Sequence, residues 1–207
     1  MRTLIGLAFA ATTASSFALT AFWAQPWNAA TRLPSWTSAI ASTVNPIPAR
    51  RQCFDDFRVA RNLSAAAITF WGTPSSPIQL GRPFRISIHR ENAATMRPIQ
   101  TPIWTYYGIV PGAMQVPDLQ GRMVFRFNHT ITPNNPLNLT AGKYWICVAE
   151  VDNVSYRPNG ISDFGWSAFQ PMRFNPAIAY NWNNTVNQPL IDPINQQRDD
   201  LAFNLYY

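Results

Sequence analysis

With 207 residues, 47% of them hydrophobic and 14% aromatic, the chain has material for one ordinary domain plus extensions and is too apolar for disorder. Eighteen prolines against nine glycines favour many short elements with stiff connections and argue against long helices. The net charge of +6 rests on 16 cations, all arginine except Lys143 and, apart from Arg50-Arg51, dispersed singly; with no basic stripe, nucleic-acid binding is not expected.

Arg2 precedes an uncharged run over residues 4–24 that ends in small residues, the layout of a secretory signal peptide. Phe22-Trp23-Ala24 before Gln25 supplies a cleavage site and Ala30 another, so residues 1–24 are read as a signal peptide. An uncleaved N-terminus is the one route to a membrane, but the many alanines, threonines and serines make the run weakly hydrophobic. Residues 25–51, rich in Pro, Ser, Thr and Ala, read as a linker to a domain over residues 52–207. Arg50-Arg51 reads as two solvated arginines, the alternative being a dibasic processing site that leaves Gln52 as a new N-terminus.

From Cys53 onward short strands alternate with turns. Residues 54–59, 65–71, 84–90, 103–110, 123–128, 142–151, 164–169, 178–182 and 201–206 are the expected strands. In the third, Phe84, Ile86 and Ile88 face inward and Arg85, Ser87 and His89 outward; in the last, Leu201, Phe203 and Leu205 share the inner face. The stretch 142–151 is apolar on both faces, with Trp145, Cys147, Ala149 and Val151 on one and Tyr144, Ile146 and Val148 on the other. Such a strand is central and covered on both sides. Residues 183–200 are polar and proline-broken and read as an outer loop. The expectation is an all-β, jelly-roll-like or Ig-like β-sandwich of about nine strands.

Two cysteines in an exported chain imply one disulfide, Cys53 to Cys147, which would contribute about 4–5 kcal/mol in the chain-entropy model. Five sequons, at Asn62, Asn128, Asn138, Asn153 and Asn183, agree with a secreted glycoprotein. Asn128 lies on the Arg126 side of its strand, which suits an outward glycan.

An immunoglobulin domain also joins two strands by a disulfide near a tryptophan and a tyrosine. Its tyrosine stands two residues before the second cysteine, whereas Tyr144 stands three before Cys147. A different set of motifs runs in order over residues 53–207: Asp55-Asp56-Phe57, Ile68-Thr69-Phe70-Trp71-Gly72, Phe84-Arg85-Ile86-Ser87-Ile88, Leu139-Thr140-Ala141-Gly142-Lys143-Tyr144-Trp145, Gly165-Trp166, and Asp200-Leu201-Ala202-Phe203-Asn204-Leu205-Tyr206. In these the chain resembles secreted bacterial β-sandwich domains often found in surface-sorted (PEP-CTERM-type) proteins. The resemblance implies an extracellular sandwich and carries over no catalytic residues. Because the sequence stops at Tyr207 without a sorting helix or basic tail, free secretion or matrix assembly is expected over surface anchoring.

No Gly-x-Ser-x-Gly elbow is present, and neither His89 nor His129 has the setting of a triad, so no catalytic residue is assigned and no cofactor is expected. Glu91 and Glu150 are the one carboxylate pair worth testing as a glycosidase pair. Asp55, Asp56, Asp199 and Asp200 would form a weak Ca²⁺ site if the terminal strands pair, but more ordinarily mark strand starts. Trp104, Tyr106, Tyr107 and Trp166 are the candidates for stacking on sugars, with core packing as the alternative. The expected role is a non-enzymatic structural or adhesion module of a cell surface, matrix or filament, partnered by an extracellular protein or by itself. A lectin-like module binding polysaccharide is the second reading, and a polysaccharide-active enzyme the third.

Overall fold

A computed structural model describes residues 19–27, 35–37, 39–41, 51–74, 83–117, 123–152, 164–169, 175–181, 188–191 and 198–207. In chain order the strands begin with β1 (Ala21–Gln25), β2 (Ser35–Thr37), β3 (Ala39–Ala41), β4 (Arg51–Val59), β5 (Leu63–Ala65) and β6 (Ala67–Pro74). There follow β7 (Pro83–Asn92), β8 (Arg97–Pro98), β9 (Trp104–Ile109), β10 (Gly112–Pro117), β11 (Met123–Thr130) and β12 (Leu137–Leu139). The last are β13 (Gly142–Asp152), β14 (Phe164–Phe169), β15 (Ile178–Asn181), β16 (Gln188–Pro189), β17 (Asp200–Leu201) and β18 (Phe203–Tyr206).

They form two eight-stranded sheets and a two-stranded ribbon. The first sheet runs β1-β18-β6-β11-β10, with β14, β17 and β2 joined alongside; the second runs β16-β15-β4-β13-β7-β8, with β9 on β7 and β3 on β13. Among the described pairs all are antiparallel except β3 with β13. The strands outnumber the nine expected because several are two or three residues long, below the length at which alternation shows in a sequence.

The sheets face each other across a layer of aromatic rings. Phe84 of the second sheet meets Phe70, Phe127 and Phe164 of the first, with centroids 4.9–5.3 Å apart and rings steeply inclined. Farther along, Phe57 meets Phe203 at 6.2 Å and Trp23 at 6.4 Å. Gly72 is required here: a Cβ on it would overlap the Phe164 ring and the Gly165 carbonyl. The alternations predicted for 84–90 and 201–206 hold, with Phe84, Ile86, Ile88, Leu201, Phe203 and Leu205 all in this core.

β13 is the interior strand its sequence announces. Tyr144, Ile146 and Val148 enter the inter-sheet core, while Trp145, Cys147 and Ala149 build a smaller cluster with Phe54 and Ile178 on the opposite face. The turn before it is tied by the Tyr144 hydroxyl, which donates to the Thr140 carbonyl at 2.9 Å.

Three expectations are corrected. The Cys53–Cys147 disulfide is absent. Cys147 lies directly across from Phe54, so Cys53, one residue away, sends its side chain to the other face of the same sheet. Cysteines whose Cβ vectors point apart do not bridge. The stretch 183–200 is not simply an outer loop. β16, Leu190 and residues 199–200 are tied in by the Leu190 amide donating to Ala177 O and the Asp199 amide to Leu190 O, with Leu190, Asp199 and Asp200 fully buried. Trp104 and Trp166, expected as open rings for stacking on a ligand, are buried.

At the other end of the chain, Ala21–Gln25 pairs with β18 as an edge strand. Trp23 is in the core, and Thr20 and Tyr207 exchange backbone hydrogen bonds of 3.1 and 3.3 Å. β2 and β3 fall within the stretch read as a linker.

Candidate functional site

On the face of β13 turned away from the sandwich core, Trp145 lies between Asp56 of β4 and His89 of β7. Asn175, just ahead of β15, reaches over β13 to hold both flanking strands. Its backbone N and Nδ2 donate to Asp56 Oδ2 at 3.3 and 2.8 Å, and the same Nδ2 stands 3.5 Å from Glu91 Oε2. The other oxygen of Glu91 is 3.4 Å from Lys143 Nζ. Four polar side chains from β4, β7, β13 and the segment before β15 thus form one continuous run, Asp56–Asn175–Glu91–Lys143. Burial raises the Asp56 carboxyl to about 6, with the Asn175 bonds opposing and the Glu91 charge adding to the rise. His89, beside this run, is held by Ile99 O at 2.7 Å and Ser87 Oγ at 2.9 Å, and burial lowers its pKa.

A second polar network lies inside the sandwich. Asp55 accepts from the Leu201 amide at 2.6 Å and the Asp56 amide at 2.8 Å. Gln25 Nε2 donates to Asp200 Oδ2 at 3.0 Å while Gln25 Oε1 accepts from Trp23 Nε1 at 2.6 Å. Burial, then the Asp200 charge, raises the Asp55 pKa well above the usual carboxylate range. The Asp-Asp-Phe opening and the Asp-Leu-Ala-Phe ending of the motif series therefore meet, and each aspartate has a positional task. As a Ca²⁺ site the set falls short: Asp55, Asp56, Asp199 and Asp200 are all buried, and among the described residues no three His, Cys, Asp or Glu side chains gather to hold a metal.

Trp104 and Trp166 are not available to a sugar. Trp166 is fully buried with Nε1 donating to Ala202 O, and Trp104 is buried with Nε1 donating to Asn135 O. Tyr106 is half-buried, its ring 3.8 Å from that of His129, whose pKa burial lowers to about 4. Tyr107 alone of the four is open, at 60% exposure. Glu91 and Glu150 are also separated. Lys143 stands beside Glu91, and Glu150 is seven residues farther along β13 on the opposite face, roughly 23 Å away at about 3.3 Å per residue. Glycosidase pairs stand about 5–9.5 Å apart.

Of the sequon asparagines, Asn62, Asn128 and Asn138 are exposed, while Asn153 and Asn183 lie outside the described residues. Asn62 and Asn138 belong to one ribbon: Ser64 Oγ donates to Asn138 Oδ1 at 2.5 Å, and Asn62 Oδ1 accepts from the Ala141 amide at 3.0 Å.

One further surface is apolar and open. β9 and β10 are edge strands of opposite sheets on the same flank, joined through Val110 and Pro111; among the described residues β9 pairs only with β7 and β10 only with β11. Tyr107, Ile109 and Met114 are 60%, 59% and 64% exposed there. The signal was present in the sequence as an absence: residues 98–117 carry no charge. No protein-family model matches the chain, and no curated protein matches it in sequence.

Proposed function

We propose that this is a secreted, non-catalytic structural module that assembles side by side with an extracellular protein, in the first instance another copy of itself, through the β9/β10 flank. The observation that carries the reading is a pair of neighbouring edge strands with exposed Tyr107, Ile109 and Met114 and no charge between residues 98 and 117. Sheet edges are ordinarily guarded by lysines, inward charges or covering loops, because their free N–H and C=O groups template a further strand. In place of charge the stretch carries four prolines, Pro98, Pro102, Pro111 and Pro117, and Asn135 Nδ2 donates to the Thr105 carbonyl of β9.

The signal-peptide layout and three exposed sequons support export, although the disulfide no longer adds to that case. Switching of the chain between sheets at Val110–Pro111 supports the jelly-roll-like or Ig-like connectivity, and the contact between the first and last motifs supports the PEP-CTERM-type resemblance.

Sedimentation velocity over a concentration series is the test. The wild type should associate, and Tyr107→Lys combined with Ile109→Lys should leave a folded monomer. A wild type monomeric throughout, or a variant that associates as strongly, overturns the reading. A glycan-binding role now rests on Tyr107 rather than a platform of rings, and would appear as glycan-array binding lost in Tyr107→Ala.

A further inference from the structure

We propose that Lys143 and Asn175 become joined by an intramolecular amide bond, with Glu91 as the catalytic carboxylate serving both partners. Three observations converge on it. Lys143 is the single lysine among 16 cations, in a chain that otherwise uses arginine, which cannot make this bond. Glu91 touches both reacting groups at once, Lys143 Nζ through Oε1 at 3.4 Å and Asn175 Nδ2 through Oε2 at 3.5 Å. Asp56 accepts from the Asn175 backbone N and Nδ2, so Nδ2 is held between the two carboxylates.

The chemistry needs no reagent beyond these side chains. Glu91, 8% exposed at its side chain, takes a proton from the Lys143 ammonium, and the freed amine attacks Asn175 Cγ. A Cγ–Nζ bond forms and the Cγ–Nδ2 bond breaks. The proton held by Glu91 turns the departing Nδ2 group, which keeps its own two hydrogens, into ammonia, and the second amine proton passes to Glu91. An ammonium and a primary amide become a secondary amide, one ammonia and one proton, with nothing oxidised or reduced. Asp56 Oδ2, accepting from Asn175 N and Nδ2, keeps the amide in place while the amine approaches. Holding both partners on one carboxylate, Lys143 at Oε1 and Asn175 at Oε2, supplies the effective concentration that an unassisted amine and amide lack. The product would staple the central strand β13 to the segment entering β15.

The test is intact-mass spectrometry and peptide mapping of the full chain made without glycosylation. The expected result is a mass short by one ammonia and a branched peptide joining Lys143 to Asn175. Glu91→Gln should keep the ammonia, and Asn175→Asp should still cross-link, releasing water instead. The wild-type mass decides the matter even if a variant fails to fold. A full sequence mass with Lys143 open to an amine-acylating reagent after unfolding overturns the proposal, as does an ammonia loss that maps elsewhere.

Discussion

Cutting the chain after Ala24 should unsettle the domain, because it removes β1 from its pairing with β18. Such a cut removes Ala21, Phe22, Trp23 and Ala24 and leaves Gln25 as the terminus. Trp23 is 7% exposed and lies in the core against Phe57. A buried tryptophan hides about 200 Å², which at about 25 cal/mol per Å² is an upper estimate of about 5 kcal/mol. Core Trp→Ala substitutions cost about 3–5 kcal/mol, in the same range. The loss also strips the donor from Gln25 Oε1. Chains starting at Leu19 and at Gln25 should therefore differ by about 3–5 kcal/mol in urea denaturation, with Trp23→Ala in the longer chain accounting for most of it. Midpoints that coincide would refute the reasoning. If the leader is cut in the cell, mass spectrometry should place the mature N-terminus before Ala21.

Other outcomes follow from the same packing. Both cysteines should be alkylated after unfolding without reductant, and reductant should leave the melting temperature unchanged; a fall equivalent to about 4 kcal/mol would restore the disulfide. The native Cys147 thiol should resist alkylation, since burial raises its pKa. Asp56 binds its proton more tightly folded than unfolded, so its contribution is present at low pH and is lost as pH rises from 3.8 through about 6, by about 3 kcal/mol. His129 runs the other way: lowered to about 4 from 6.5, it makes stability rise with pH across that interval. Denaturation of Asp56→Asn and His129→Gln between pH 4 and 7 should separate the two limbs, and parallel profiles would dismiss both. Trp104→Ala should cost about 3–5 kcal/mol and report on folding rather than on any ligand, checked by thermal melts.

Much of the fold was readable because alternation is a local property. Phe84-x-Ile86-x-Ile88 and Leu201-x-Phe203-x-Leu205 show their inner faces without reference to any neighbour. What failed was register. Whether Cys53 and Cys147 share a face depends on whether Cys147 sits across from Phe54 or one residue away, and a single-residue slip reverses the answer. Trp104 failed for a related reason: β9 has aromatic rings on both faces, Tyr106 and Tyr107 among them, and periodicity does not say which face meets the core. The Lys143–Glu91–Asn175–Asp56 run was invisible because its members are brought together from four separate segments by sheet order. The motif aspartates, by contrast, were found for their conspicuous repetition, and their work of holding the Leu201 amide and the Asn175 side chain appeared only in three dimensions.

The backbone exchange between Thr20 and Tyr207 sets how this domain would carry a load. β1 and β18 are antiparallel neighbours whose outer ends coincide there. Tension applied between those two residues would peel the pair open from that end, breaking its hydrogen bonds one after another rather than shearing them together. Such a domain yields early when pulled by its own ends. A strong fibre made from it would pass tension sideways, from flank to flank, and leave the ends slack.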